Sequence, residues 1–185
     1  MIAEIKADSE DRMKKSAAAL EEEFNRLRTG RASTALVDKI QVSYYGAMTP
    51  LNQVASVSVP EARLIVIQPW DKGVLPEIEK AIQKSELNLN PNNDGKVIRI
   101  NIPALTEERR KELVKGAKAS AENARVAVRN IRRDAIDRLK KEQKGGSITE
   151  DELKTAETDM QTLTDKYIGE VNKIFEAKEK EIMEI

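Results

Sequence analysis

The sequence of 185 residues contains neither cysteine nor histidine. Disulfide cross-links, thiolate nucleophiles, imidazole bases and the common Cys/His zinc sites are therefore excluded together. Aromatic residues make up only 3%, too few for a core built around large rings. No apolar run is longer than the four residues 64–67, against the roughly 20 that a membrane-spanning helix requires. The amino terminus mixes Glu4, Lys6 and Asp8 among its apolar residues, which is no leader pattern, so a cytoplasmic protein is expected. An excess of one charge is missing too: 32 basic and 32 acidic residues cancel, so any affinity for a polyanion must come from how the charges are distributed.

What the chain does have is charge in quantity, 35% of its residues, with 39% apolar residues. That balance suits long solvent-exposed helices with narrow apolar seams. Over residues 2–27, Met13, Ala17, Leu20, Phe24 and Leu27 step by four and three, which places them on one helical stripe. Thr29 and Gly30 interrupt it. Over residues 107–144 a second seam runs Ala117, Ala121, Ala124, Val128, Ile131, Ala135 and Leu139, opened by Thr106 as a cap and closed by Gly145-Gly146. A third begins at a capping box, Thr149 with Glu152, and a staple of Ile148 with Leu153, then continues through Ala156, Met160, Leu163, Tyr167, Val171 and Ile174. The short link between the second and third helices makes them antiparallel, and three seams of one period predict a three-helix bundle.

Residues 31–104 read differently. Ile40, Val42 and Tyr44 alternate, 64–67 form a compact run, and Ile98, Ile100 and Ile102 alternate again. The turn-rich Pro91-Asn92-Asn93-Asp94-Gly95 predicts a hairpin between strands at 87–90 and 96–102. Residues 74–85 read as one helix, with Ile78, Ala81 and Ile82 on its inner side. Tyr44, Tyr45 and Trp70 are expected to pack within this β-rich part. The fold class is thus α+β: an elongated antiparallel three-helix bundle of residues 1–30 and 105–185, with a small β/α/β domain of residues 31–104 inserted in its first connection. No helix or seam crosses the two junctions, so hinges are expected near 28–31 and 102–105, at Thr29, Gly30, Ile102, Pro103 and Ala104. With the seams satisfied internally, a monomer is expected.

The two long helices differ sharply in charge. Residues 107–144 hold 13 basic and 7 acidic side chains, while 150–185 hold 5 and 11. Along the second helix Lys111, Lys115, Lys118, Arg125, Arg129 and Arg132 recur in steps of four and three, one residue beyond the seam, with Glu122 as the sole interruption. Arg109, Arg110 and Arg133 widen the stripe, and Arg28 and Arg31 add charge at the first junction. Two readings stand. The cations pair with the acids of the third helix to hold the bundle together, or they form a face for a polyanion, since arginine grips phosphate in a bidentate manner. Double-stranded RNA suits the second reading, being recognised mainly through phosphates and 2′-hydroxyls, and the absence of interleaved aromatics argues against single-strand stacking. A helical-hairpin adaptor that binds proteins through its charged faces, and an RNA-binding module of some other role, remain alternatives. Gly145-Gly146 lacks the Gly-Lys-Ser/Thr context of a phosphate loop, and no acid cluster resembles a metal or acid–base site, so neither an enzyme nor a cofactor is expected.

Five separated segments carry a resemblance: Leu27-Arg28-Thr29-Gly30-Arg31-Ala32-Ser33, Tyr44-Tyr45-Gly46 with Thr49-Pro50-Leu51, Leu89-Asn90-Pro91-Asn92, Leu105-Thr106-Glu107-Glu108-Arg109-Arg110-Lys111-Glu112-Leu113, and Val126-Ala127-Val128-Arg129-Asn130-Ile131-Arg132-Arg133-Asp134-Ala135. In this order, over essentially the whole chain, they resemble the ribosome recycling factors of bacterial type. The resemblance implies an L-shaped, transfer-RNA-like outline. It also implies a non-enzymatic role after termination, in which such factors, with elongation factor G and its GTP hydrolysis, split the 70S ribosome into subunits. By position it puts Arg28, Arg31, Arg129, Arg132 and Arg133 on large-subunit rRNA, and the charge stripe adds Lys118 and Arg125. For Arg109, Arg110, Lys111 and Lys115 it leaves open whether they touch RNA or hold the junction. The inserted domain would meet elongation factor G. Two departures stand out, Ala104 where many relatives have a second proline and Gly145-Gly146 where others carry charges.

Overall fold

The computed structural model describes residues 1–184. Its elements follow the order α1 (Ile2–Asn25), β1 (Gln41–Tyr44), β2 (Ala47–Pro50), α2 (Leu51–Val54), β3 (Ala55–Glu61), β4 (Leu64–Pro69), α3 (Leu75–Lys84), β5 (Pro91–Asn93), β6 (Ile98–Asn101), α4 (Glu107–Lys144) and α5 (Glu150–Met183), with short 3₁₀ turns at Thr34–Leu36 and Lys72–Val74. The chain divides into two compact units, one of Met1–Leu27 with the chain from Glu107 onward, the other Arg28–Thr106.

In the first unit α1, α4 and α5 pack on one another. The buried faces are Ile5, Ser9, Met13, Ala17, Leu20 and Phe24 of α1, and Leu113, Ala117, Ala121, Ala124, Val128, Ile131, Ala135 and Leu139 of α4. From α5 come Ala156, Met160, Thr164, Tyr167, Val171 and Ile182. The seam falls into two clusters. Ala117, Ala121 and Ala124 meet Ala17, Leu20, Phe24 and Val171, whereas Val128, Ile131 and Leu139 meet Ile5, Met13, Met160 and Tyr167.

The turn from α4 to α5 closes as its residues require. Gly146 has φ +78°, the left-handed region where a side chain is penalised. Around it the Ser147 N–H donates to the Glu142 carbonyl at 2.9 Å and the Gly146 N–H to that of Gln143 at 3.1 Å, the paired bonds of a Schellman cap. Thr149 then accepts from the Glu152 N–H at 3.1 Å and starts α5, while Ile148 is buried and Leu153 packs against the same cluster.

The second unit contains a two-stranded sheet, β1–β2, and a four-stranded antiparallel sheet in the order β3-β4-β6-β5. Ile65 and Ile67 of β4, Ile98 and Ile100 of β6, and Leu75, Ile78 and Ile82 of α3 are buried together with Val37, Val42, Leu51 and Val54. This is the period-2 face of a sheet covered by the 3.6-period face of a helix.

Two sequence expectations are corrected here. The hairpin forms between β5 and β6 with pairs Pro91↔Ile100 and Asn93↔Ile98, so the strand occupies the start of the segment expected to be the turn. The reversal sits at 94–97, where Asp94 Oδ1 accepts from the Lys96 and Val97 N–H groups at 2.8 and 2.9 Å and Oδ2 pairs with Arg99. Those bonds hold the Asp94 carboxyl well below the usual range, the Val97 N–H being the largest cause. The aromatic residues also depart from expectation. Tyr44, Tyr45 and Trp70 are not packed in the unit's core but are 36%, 77% and 69% exposed. Tyr45 occupies the left-handed region (φ 48°) at the β1–β2 turn, which points its ring outward, and its hydroxyl donates to Asp71.

Candidate nucleic-acid interface

On α4 the buried seam fixes the helix rotation, and residues one position further on emerge beside it. Arg125, Arg129 and Arg132 are half-buried, and Lys111, Lys115, Lys118 and Arg133 are exposed. Lys111 pairs with Glu107 at 3.6 Å on its own helix. Arg125 reaches the one acid in the stripe, Glu122, at 2.8 Å, and Arg129 reaches the same carboxylate at 3.3 Å. Arg125 Nε also donates to Asn172 Oδ1 of α5 at 2.8 Å. Glu122 is consequently held below the usual carboxylate range, Arg125 being the larger cause and Arg129 the next.

The alternative, that the stripe exists to pair with the acids of α5, does not match the ion pairs of the bundle. Ion pairs between bundle helices run from Lys6 to Asp159, from Arg12 to Asp134 at 3.3 Å and from Arg138 to Asp8 at 2.9 Å. All of these involve α1. Among the described residues no ion pair joins Lys115, Lys118, Arg125, Arg129 or Arg132 to an acid of α5, and Arg132 and Arg133 carry none at all. Pairing between helices thus leaves the arginine run of α4 with only the one carboxylate of Glu122, on its own helix, to offset Arg125 and Arg129, and with nothing to offset Arg132 and Arg133 among the described residues.

The remaining candidates lie apart from that run. Arg109 pairs with Glu112 at 3.0 Å in the first turns of α4. The Arg110 Nε is buried without a hydrogen-bond partner among the described residues. Lys111, Lys115 and Lys118 line a groove with Val114, Glu176, Glu179, Lys180 and Met183 where α4 and α5 continue past the end of α1. Arg28 and Arg31 are exposed and belong to the second unit, where Arg28 donates to the Leu87 carbonyl at 3.2 Å.

Of the residues expected at the hinges, Thr29 is buried and Gly30 sits at φ +77° with Leu105 so close that a Cβ would lie 3.0 Å from its Cγ, so this position requires glycine. Ile102 is tied to the Arg63 carbonyl at 2.8 Å, and Pro103 and Ala104 are exposed. Charge counting gives Glu122 only as an interruption and does not reach Asn172. An acid inside a basic stripe reads as an interruption, and only the shared bonds reveal that it organises two of the arginines.

Among the described residues no helix is long and apolar enough to cross a membrane, and no cluster of three or more acids is placed to hold a metal ion.

The fold and this edge define a class: α+β proteins in which a long-helix bundle with an arginine-lined face carries a small sheet unit inserted between its first two helices. The comparisons with known proteins narrow it. A family model described as ribosome recycling factor matches residues 20–183. A ribosome-recycling factor of Treponema denticola is 66% identical over the full length of both chains, and one of Halalkalibacterium halodurans is 60% identical, again over both full lengths. The solution structure of a ribosome recycling factor superposes with a TM-score of 0.76 at 50% identity, covering 100% of this chain and 98% of the other. A Thermus thermophilus ribosome recycling factor matches with a TM-score of 0.63 at 48% identity over both full chains; it is described, with the Escherichia coli elongation factor G, as bound to the E. coli post-termination complex. The chain belongs to the ribosome recycling factor family.

Proposed function

We propose that the protein docks on large-subunit rRNA of the post-termination 70S ribosome and, with elongation factor G and the GTP hydrolysis of that factor, promotes separation of the subunits. Docking is through Arg28, Arg31, Lys118, Arg125, Arg129, Arg132 and Arg133, with Arg109, Arg110, Lys111 and Lys115 either extending the contact or bracing the junction. On this reading the protein is a cytoplasmic monomer, it hydrolyses nothing itself, and the segments 28–31 and 102–105 act as hinges for the inserted domain.

The observation that carries the reading is the excess of arginine on α4: Arg125 and Arg129 share the single carboxylate of Glu122, and Arg132 and Arg133 have no ion pair among the described residues. Exposed ion pairs contribute only about 0.2–1 kcal/mol, so an arginine stripe is poorly accounted for by stability. A helix edge of this length fits the phosphates and 2′-hydroxyls of duplex RNA. The test is splitting of purified post-termination ribosomes with a matched elongation factor G and GTP, comparing the protein with Arg132→Gln after circular dichroism shows both folded. Factor-dependent splitting that falls at least about 10-fold in the variant is expected, the loss of about one bidentate phosphate contact. Full splitting by the variant would remove Arg132 from the interface, and no splitting by the intact protein would favour an adaptor role.

A further inference from the structure

Glu122 departs from the pattern around it, a single acid at the centre of a cationic stripe. Its two carboxylate oxygens are divided between two guanidinium groups, Oε2 accepting from Arg125 and Oε1 from Arg129. Arg125 is held from its other side by Asn172 and is the less accessible of the two, with a side chain 21% exposed against 40% for Arg129. Two guanidinium groups, each through one terminal N–H, thus converge on one monoanion that offers two oxygens from a single central atom. A phosphodiester presents the same charge and a similar pair of free oxygens, one for each guanidinium group.

We propose that Glu122 is an internal stand-in for an RNA phosphate: in the free protein it holds Arg125 and Arg129 aimed at a common point, and on docking it is exchanged for the two free oxygens of a backbone phosphodiester. The inference rests on the rRNA-docking reading above and adds to it a bound anion that must be displaced. The exchange trades one charge-assisted pair for another, so the cost of opening the site is small, while the arginines are spared the ordering that a free side chain incurs on binding. Arg132, which has no such anion among the described residues, stays open to a second phosphate.

The experiment is binding of the full chain to purified large ribosomal subunits over a series of salt concentrations, for wild type, Glu122→Gln, Glu122→Asp, Arg129→Gln and the Glu122→Gln/Arg129→Gln pair. Removing the competing charge in E122Q is expected to tighten binding up to about 5-fold at low salt, the upper end of what one exposed ion pair contributes. It is also expected to steepen the dependence of log affinity on log salt by about 0.7–0.9, one further contact. E122D keeps the charge and keeps the wild-type slope. In the Arg129→Gln background the gain from E122Q shrinks, because the two act through one site. Weaker or unchanged binding by E122Q, with an unaltered melting temperature, overturns the exchange while leaving docking intact. Wild-type binding that ignores salt, with Arg129→Gln binding as tightly as wild type, overturns the docking reading and the exchange with it.

Discussion

Tyr167 illustrates how single residues hold this bundle together. Its ring is 1% exposed in the seam of α5, and its hydroxyl donates to Glu10 of α1 at 3.2 Å. Burial, and secondarily the Glu10 charge, push the phenol from 10.0 up to about 12. The sign of the pH effect follows. Between about pH 10 and 12 the unfolded chain has given up the tyrosine proton while the folded chain still holds it, so this contribution to stability is complete below pH 10 and is lost as the pH rises toward 12. Tyr167→Phe is therefore expected to cost about 0.5–1.5 kcal/mol near neutral pH, from the missing hydrogen bond. The wild-type advantage should narrow above pH 10 in denaturant titrations run at several pH values. An advantage that stays constant to pH 12 would show that the phenol is not buried in this way. Ser9 and Thr164 are the polar members of the same seam, and each is satisfied by its own helix, donating to the Ile5 and Met160 carbonyls at 2.7 Å. Apolar counting passed over both, since the backbone partner that permits their burial is not a property of the side chain.

At the scale of elements, legibility followed how local the determining interaction is. The α5 start was readable because Thr149, Glu152 and Ile148 act within one turn, and the helical seams were readable because 3.6-residue periodicity survives over 24 to 38 residues. Replacing Thr149 with alanine removes a cap from the Glu152 N–H and is expected to lower stability by about 1 kcal/mol, seen as a shifted urea midpoint at unchanged slope. An unmoved midpoint would mean that the α4–α5 turn is held by the Schellman bonds alone. Strand positions were less readable. Pro91 looked like a turn residue, yet it begins β5 at the sheet edge, where its lack of an N–H goes unpunished. The aromatic residues misled for a related reason: Tyr45 is directed outward by the left-handed backbone of a two-residue turn, a constraint set by strand pairing across the hairpin. Of the candidate interface, the cationic stripe was legible from spacing, whereas the Glu122 bridge and the Asn172 contact depend on side-chain directions that only the folded helices define.

For the whole molecule, the arrangement of buried residues sets how stability is divided. Every member of the cluster around Ile67, Ile78 and Ile100 lies within the unit Arg28–Thr106. The clusters around Leu139 and around Phe24 lie wholly within the helical unit. A cavity cut into one cluster removes contacts from that unit alone, and structures opening in cooperative units exchange their amides accordingly. Ile67→Ala is expected to cost about 2–4 kcal/mol, since Ile67 is fully buried, and to raise native-state hydrogen exchange in β3, β4, β6 and α3. The amides of α1, α4 and α5 should keep their protection. Leu139→Ala, equally buried, should produce the converse pattern, with the helices opening and the sheet protected. If either variant lowered protection in both units to the same extent, the molecule would be unfolding as one body, and separate motion of the inserted domain would lose its energetic basis. Protection lost in one unit at a time would show that each holds its own stability, which is what a domain must have to move on hinges without melting.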